Sequence, residues 1–523
     1  MQPLLKSEAG RKSELMRAGM SRPHRISITY NLGALIIIFC VILSGECLAI
    51  SVTNTNDSGA GSLRAAILAA AAGDTIQFDS SLAGKTIKLT SGALEISKPL
   101  TIQGSGAGQL TVDGTHNGWN NVFEVDAGIR NVQISGLTIK GGGYYSPIAN
   151  NSGYLSVAGC TLSGSGTLYT GGIYFDSTSG GSLTVNNCNL FNNYYGIYFW
   201  GSGGTAIVPV TITGCSISNN VYSGLYIGGG NINLNTSVQG CTISGNSDCG
   251  IYTVATLTVT DSTISGNKNC GVQTEYPGTT TLINSTVWGN TGGGTSNPWG
   301  TSLTLDNCTV SQNTSSSSGG GVYSYSSGAG TVTMNNTIVA YNSGSSGVDI
   351  EGPVTANYCL ISDPTGATIS GTANKIGTHA APLDPQIAWL GAYGGPTMPD
   401  GTTMLTAPPF AGSPAIDAGS NVLIPSGLTT DQRGLPRITN GRVDIGACEY
   451  QPVVPSISIS KQGTNVVLSW PTSATGFILM SSTNLGTAAV WGAVSPPAVV
   501  VNGQNVVTNS ITGQRKFYRL MHP

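Results

Sequence analysis

Between residues 157 and 313 the chain repeats one pattern of apolar and polar positions. VAGCTLSGS (157–165), VNNCNLFNN (185–193), ITGCSISNN (212–220), VQGCTISGN (238–246), VTDSTISGN (259–267), LINSTVWGN (282–290) and LDNCTVSQN (305–313) align without gaps. Their anchor positions, Cys160, Cys188, Cys215, Cys241, Ser262, Ser285 and Cys308, lie 21–28 residues apart. A second element follows in most units: Gly172-Ile173-Tyr174, Gly196-Ile197-Tyr198, Gly224-Leu225-Tyr226, Gly250-Ile251-Tyr252, Gly271-Val272-Gln273 and Gly321-Val322-Tyr323. Short alternating strands joined by Gly/Asn/Ser turns at this period predict an all-β, single-stranded parallel β-helix. A leucine-rich repeat shares the period but requires a leucine framework that is missing, and a β-sandwich would not repeat one motif.

Period-two alternation fixes which residues face inward. Each anchor shares parity with the next aliphatic residue, as Cys215 does with Ile217, so the anchors point into the coil. Five residues on come Asn193, Asn220, Asn246, Asn267, Asn290 and Asn313, which are expected to stack as an asparagine ladder at a turn. That gives the repeated Cys and Asn a structural role. In Gly-Ile-Tyr the Ile faces inward, so Tyr174, Tyr198, Tyr226, Tyr252 and Tyr323 should point outward, with Trp200 beside Tyr198. Such a stripe suits glycan stacking or protein contact; it equally suits mutual stabilisation of a parallel ladder.

Outside the array the pattern changes. Residues 32–43 (LGALIIIFCVIL) form a 12-residue apolar run after Arg22 and Arg25 and before a small-residue stretch ending at Ala49. That is the order of a secretory signal peptide over residues 1–49, with cleavage after Ala49 and a start at Met20; the run is short for a membrane span. Over residues 50–79, Ser62 is a suitable N-cap, Leu63–Ala72 has helical composition, and Gly73 is a good stop. A short helix there would cover the exposed strand edges of the first rung. Repeats then occupy 80–382, Pro452 and Pro455 mark a linker at 452–455, and 456–523 reads as a small β-sandwich-like module.

Two stretches resemble known families. Asn56-Asp57-Ser58-Gly59, Gly61-Ser62-Leu63-Arg64-Ala65-Ala66-Ile67 and Gly73-Asp74-Thr75-Ile76-Gln77-Phe78 resemble the CSLREA-type N-terminal cap of bacterial secreted β-helix proteins, with Gly61 in place of the leading Cys. Residues 383–451 resemble the choice-of-anchor Q domain, through Gly394-Gly395-Pro396-Thr397, Ser413-Pro414-Ala415-Ile416-Asp417-Ala418-Gly419, Asp431-Gln432-Arg433-Gly434 and Asp444-Ile445-Gly446-Ala447-Cys448-Glu449. The resemblance implies a right-handed β-helix of the pectate-lyase-like superfamily that ends in this domain, on a secreted or cell-surface protein. It implies no catalytic residue in that domain.

Composition narrows the chemistry. Charged residues make up only 9% of the 523, and Gly numbers 74. Without residues 1–49, 15 basic residues stand against 21 acidic ones, a net charge of −6. No basic cluster remains, so a nucleic-acid partner is not expected. From 141 to 340 the only charged residues are Asp176, Asp248, Asp261, Lys268, Glu275 and Asp306, too few for the carboxylates and bases of a polysaccharide lyase or glycosidase. The nearest catalytic grouping is Asp113, His116, Glu124, Asp126, Arg130 and Lys140, which neighbouring rungs would have to bring to one face. Asp417, Asp431, Asp444 and Glu449 are candidates for calcium, or for pairing with Arg433, Arg437 and Arg442. Cys249 and Cys270 each precede the second element in adjacent rungs, within reach of a disulfide. The leading expectation is a monomeric, cofactor-free adhesion or polysaccharide-binding protein with no membrane span in the mature chain. The alternatives are a polysaccharide lyase or glycoside hydrolase, and a structural surface spacer.

Overall fold

A computed structural model describes residues 49–521, apart from 202–205, 231–232, 299–300, 326–329, 452–454, 473–476, 487–488 and 514. The expected signal peptide thus lies outside the described residues except for Ala49, and the linker except for Pro455. Among the described residues no helix is long and apolar enough to cross a membrane.

The repeats wind into a three-sided parallel β-solenoid. One rung runs Val208–Thr213 on a first face, Ser216–Ser218 on a second and Leu225–Ile227 on a third; the next runs Leu234–Gln239, Thr242–Ser244 and Ile251–Thr253. Every strand pairs in parallel with its counterpart one rung on, without a register shift between these rungs. The second face stacks thirteen strands in unbroken chain order. Alternate residues turn inward to form one continuous apolar core from Val52 to Ile361.

Each corner has its own chemistry. Between the first and second faces the chain turns on one residue with positive φ, just before the anchor: Gly240 (+60°), Asp261 (+51°), Asn284 (+54°) and Asn307 (+53°). Gly, Asn and Asp tolerate this left-handed conformation at least cost. Behind it the anchors form a buried ladder. The Cys215 amide donates to Cys241 Sγ at 3.3 Å, that of Cys241 to Ser262 Oγ at 3.0 Å, and that of Ser262 to Ser285 Oγ at 3.1 Å.

Between the second and third faces runs the asparagine ladder. Asn246 donates its backbone N–H and Nδ2 to Asn267 Oδ1 at 3.0 and 2.9 Å, and Asn267 does the same to Asn290 at 3.0 and 2.9 Å. The ladder continues through Asn313 to Asn342, one rung past the aligned repeats. The glycine after each ladder residue is sterically required: a Cβ on Gly250 would lie 2.7 Å from the Gly271 carbonyl oxygen and 2.8 Å from Asn267 Nδ2.

Asp349 ends this ladder, taking the N–H and Nδ2 of Asn342 on Oδ1 and the Asp363 N–H on Oδ2. Burial pushes its carboxyl up to about 6. A folded-state value raised above the ordinary one gives stability that is complete below about pH 4 and is lost as pH rises through 6, here about 3 kcal/mol. Asp349→Asn should therefore flatten the fall in stability between pH 4 and 6, as read from urea midpoints. Its fixed cost, an amide Nδ2 facing the Asp363 N–H, should not vary with pH.

The N-terminal helix spans Leu63–Ala69, three residues shorter than Leu63–Ala72. Ser62 caps its start, while Asp74 Oδ2 accepts from the Ala71 N–H and Lys98 Nζ donates to the Leu68 and Ala70 carbonyls, closing the helix early. Leu63, Ala66 and Ile67 close the end of the core.

Residues 383–451 do more than follow the coil: they turn back along the second face. Outward positions there pack against Ile387, Ala407, Ala415 and Ile445, burying Trp288, Ile338, Ala340 and Leu360. The Gln432 side-chain amide joins the two: its Nε2 donates to the Ser262 carbonyl (2.9 Å) and Thr263 Oγ1 (2.8 Å), while Thr286 Oγ1 donates to its Oε1 (2.5 Å). Asp400 takes the Ser216 hydroxyl at 2.6 Å. Residues 456–521 form two antiparallel sheets, one of Ser458–Gln462, Asn465–Pro471, Gln504–Ser510 and Val499–Val501, the other of Gly492–Ala493, Ile478–Ser482 and Phe517–Met521, around Leu468, Trp470, Leu479 and Val507.

Candidate functional site

Outward positions of the third face form one straight column. Glu95, Glu124, Ala149, Tyr174, Tyr198, Tyr226, Tyr252, Gln273, Ser296, Tyr323 and Glu351 are register partners in that order. Parallel rungs stand about 4.8 Å apart, so successive tyrosines are held ring over ring. Centroids are 6.0 Å apart for Tyr174–Tyr198, 5.3 Å for Tyr198–Tyr226 and 4.9 Å for Tyr226–Tyr252, with planes within 20°.

This corrects the expectation of an open aromatic stripe. Ring faces are spent on neighbouring rings, and Tyr198 is only 1% exposed, screened by Tyr169 and Tyr195. Burial raises the phenols of Tyr198 and Tyr226 above their ordinary value and pushes that of Tyr252 up to about 12. Trp200 is exposed but lies at the strand end, in register with Asp176. Tyr323 stands apart from the stack, between Ser296 and Glu351.

The opening lies at the N-terminal end of the stack. At Ala149, which is itself buried, the column shrinks to a methyl group, and the run of tyrosines begins one rung on at Tyr174. Around this step is a groove of about 640 Å³, walled by Trp119, Tyr144, Tyr145, Leu168, Tyr169 and Tyr174 and lined with Asn121, Ser146, Asn151, Thr167 and Thr170. Its size is that of small-molecule sites, roughly 300–1,000 Å³. Trp119 and Tyr144 stack at 5.0 Å with planes 8° apart, yet Trp119 remains 71% exposed. The Tyr144 carbonyl accepts from Thr167 Oγ1 at 2.7 Å, which ties successive turns together.

One wall is polar and rigid. The Ser146 N–H donates to Asn121 Oδ1 (3.1 Å), Asn121 Nδ2 to Glu124 Oε2 (3.2 Å), and Asn151 Nδ2 to Glu124 Oε1 (2.9 Å). Two amides thus fix one carboxylate beside an aromatic groove.

The proposed catalytic grouping does not assemble. Asp113 and Lys140 are register partners on the second face, Glu124 is on the third, and Asp126 follows the end of that strand at Val125. Arg130 lies over the Tyr154 ring at 4.2 Å, and His116 meets Thr115 Oγ1 on an exposed loop. The corner between Asp113 and Glu124 sends them to different faces, so rung stacking cannot bring the six together.

The acidic residues of 383–451 are engaged internally. Asp431 pairs with Arg433 at 2.6 Å and Glu449 with Arg437 at 3.4 Å, all buried, while Asp444 Oδ1 takes the Asp417 N–H. Asp444 Oδ2 takes the Tyr450 N–H. Burial raises the Glu449 carboxyl, against the pull of Arg437. Among the described residues no cluster of His, Cys, Asp or Glu has the geometry of a metal site. Cys249 and Cys270 are disulfide-bonded, with Cα atoms 4.6 Å apart; the anchor cysteines are free and buried.

The coil defines a right-handed parallel β-helix. The family model described as the right-handed beta helix region matches residues 100–234 and 209–310. Among solved structures, the chain is similar to pectate lyase Pel9A, with 16% identity over 77% of this chain and 96% of that one, at a TM-score of 0.43. It is also similar to the Dettilon tailspike protein, with 11% identity over 91% of both chains and a TM-score of 0.43. Comparison with curated proteins finds none that matches.

Proposed function

We propose that this is a polysaccharide-binding, adhesin-like protein, secreted or displayed at the cell surface, that works as a monomer without catalysis or cofactor. The observation that carries this reading is the groove beside Ala149. It combines exposed aromatic rings with amide and hydroxyl groups held in place by a hydrogen-bonded wall. Flat rings cover the C–H faces of sugars, and fixed polar groups meet their hydroxyls. The leader-like N-terminus and low charge support an extracellular setting.

The test is retention of residues 50–523 on a panel of immobilised polysaccharides, with soluble products scored in parallel. Trp119→Ala removes one stacking ring, and Ala149→Tyr continues the tyrosine column into the groove. Both should reduce retention at least about tenfold, the effect of losing roughly 1.4 kcal/mol. Because Trp119 is 71% exposed, the melting temperature of Trp119→Ala should stay close to that of the parent. Full retention by both variants would refute the groove as the binding site; unsaturated or reducing-end products would replace binding with lyase or glycosidase action.

A further inference from the structure

The same groove also carries information about the charge of its ligand; this inference rests on the polysaccharide reading. Glu124 is a carboxylate set against the groove's wall, bonded to Asn121 and Asn151, which line it. Its two oxygens accept one amide N–H each, from Asn121 and Asn151. A carboxylate has about four acceptor positions, so both oxygens keep free capacity. Asn121 cannot turn to offer its own carbonyl, because its Oδ1 is taken by the Ser146 N–H.

No cation lies in the groove lining. The next charge along the face is also acidic: Asp176 is the register partner of Asn151. Of the nearest bases in the chain, Arg130 lies on Tyr154, Lys140 is on the second face beside Asp113, and the His116 ring meets Thr115 Oγ1 on an exposed loop. A uronate or sulfate entering here would meet a fixed like charge with nothing to offset it, and like-charge contact across an interface costs several kcal/mol.

We propose that the groove selects neutral polysaccharide chains, that the fixed charge of Glu124 against its Asn121 and Asn151 wall determines this specificity, and that uronate-bearing chains are rejected. The protein as tested should be the mature chain, residues 50–523. The probes are a soluble neutral β-glucan, a neutral xylan, polygalacturonate and chitosan, compared by affinity electrophoresis at low and high salt. Retardation is expected on a neutral polymer, with polygalacturonate at least about tenfold weaker at low salt. Glu124→Gln keeps the shape, loses one acceptor and removes the charge. It should weaken neutral binding several-fold and narrow the gap to polygalacturonate. A substitution that merely disturbed the wall would weaken all polymers in proportion and leave the ratio unchanged.

Equal or stronger retardation by polygalacturonate in the parent protein would overturn the selection while leaving polysaccharide binding intact. Preference for chitosan over both neutral polymers, abolished in Glu124→Gln, would replace a neutral ligand with a cationic one and so also overturn it. Failure to bind any of the four would count against the polysaccharide reading itself, and the inference would fall with it.

Discussion

Asn267→Ala is expected to lower the stability of the coil by about 3–5 kcal/mol, from two or three buried polar groups at about 1–3 kcal/mol each. Asn267 occupies the middle of the ladder and is fully buried. Its Oδ1 takes both the backbone N–H and the Nδ2 of Asn246, and its Nδ2 reaches the Ile243 carbonyl at 3.3 Å as well as Asn290 Oδ1. Alanine strands the Asn246 N–H, which has Asn267 Oδ1 as its acceptor. Against a stability of roughly 5–15 kcal/mol this is a large fraction. Urea unfolding of residues 50–523 should show the midpoint shift, whereas Thr256→Ala on the exposed first face should change it by less than about 0.5 kcal/mol. A small loss at Asn267 would mean that the strand ladders alone hold the corner.

The second large effect is expected at Arg437, which is 1% exposed. Its guanidinium donates to Asn284 Oδ1 at 3.1 Å, to the Ala447 carbonyl at 3.0 Å and to the Gly446 carbonyl, and it faces Glu449. One side chain therefore joins the coil to the segment covering it and also balances a buried carboxylate. Arg437→Met should cost about 3–5 kcal/mol, because removing one partner leaves the other buried without compensation. Amide exchange should then accelerate around Thr263, Thr286 and Thr309 on the covered face, and the tyrosine stack on the third face should keep its near-ultraviolet dichroism. In Arg437→Met with Glu449→Leu, much of the loss should return. If the double variant is no more stable than the single one, the carbonyl contacts outweigh the ion pair.

Much of this fold is legible in the sequence because a solenoid makes neighbours of residues one repeat apart. Parity alone puts Cys215 and Ile217 inside, and the fixed offset from anchor to Asn identifies a ladder before any coordinate is known. The rung of MNNTIVAYN (334–342) fits the same pattern with Thr337 as its anchor and Asn342 in the ladder, but the change from Cys or Ser disguises it. The covered second face was hidden for a different reason. Thr263, Thr286 and Thr309 read as solvent-facing, and only the apolar Trp288, Ile338 and Leu360 at outward positions signal a covering layer.

The candidate site was the least legible part. Trp119, Tyr144, Leu168 and Tyr169 sit in turns of unequal length, where no repeat offset aligns them. The tyrosines that do align are those whose faces are already occupied. Parity gives the side of the sheet a residue lies on; it does not say whether the next rung covers it. The one sequence signal is the recurrence of aromatic residues at this corner, Tyr144-Tyr145, Tyr194-Tyr195 and Tyr222.

Ala149 has a consequence for how such a coil diversifies. The groove lies where the column passes from Ala149 to the tyrosines, so its location along the axis follows the repeat at which the large side chains begin. Moving the small residue to the next repeat would shift the recess by one rung, about 4.8 Å, and fill the old one in the same stroke. Position along such a coil is therefore inherited in whole steps, and a related chain can relocate its recess by two point changes without altering its length, its ladder or its core.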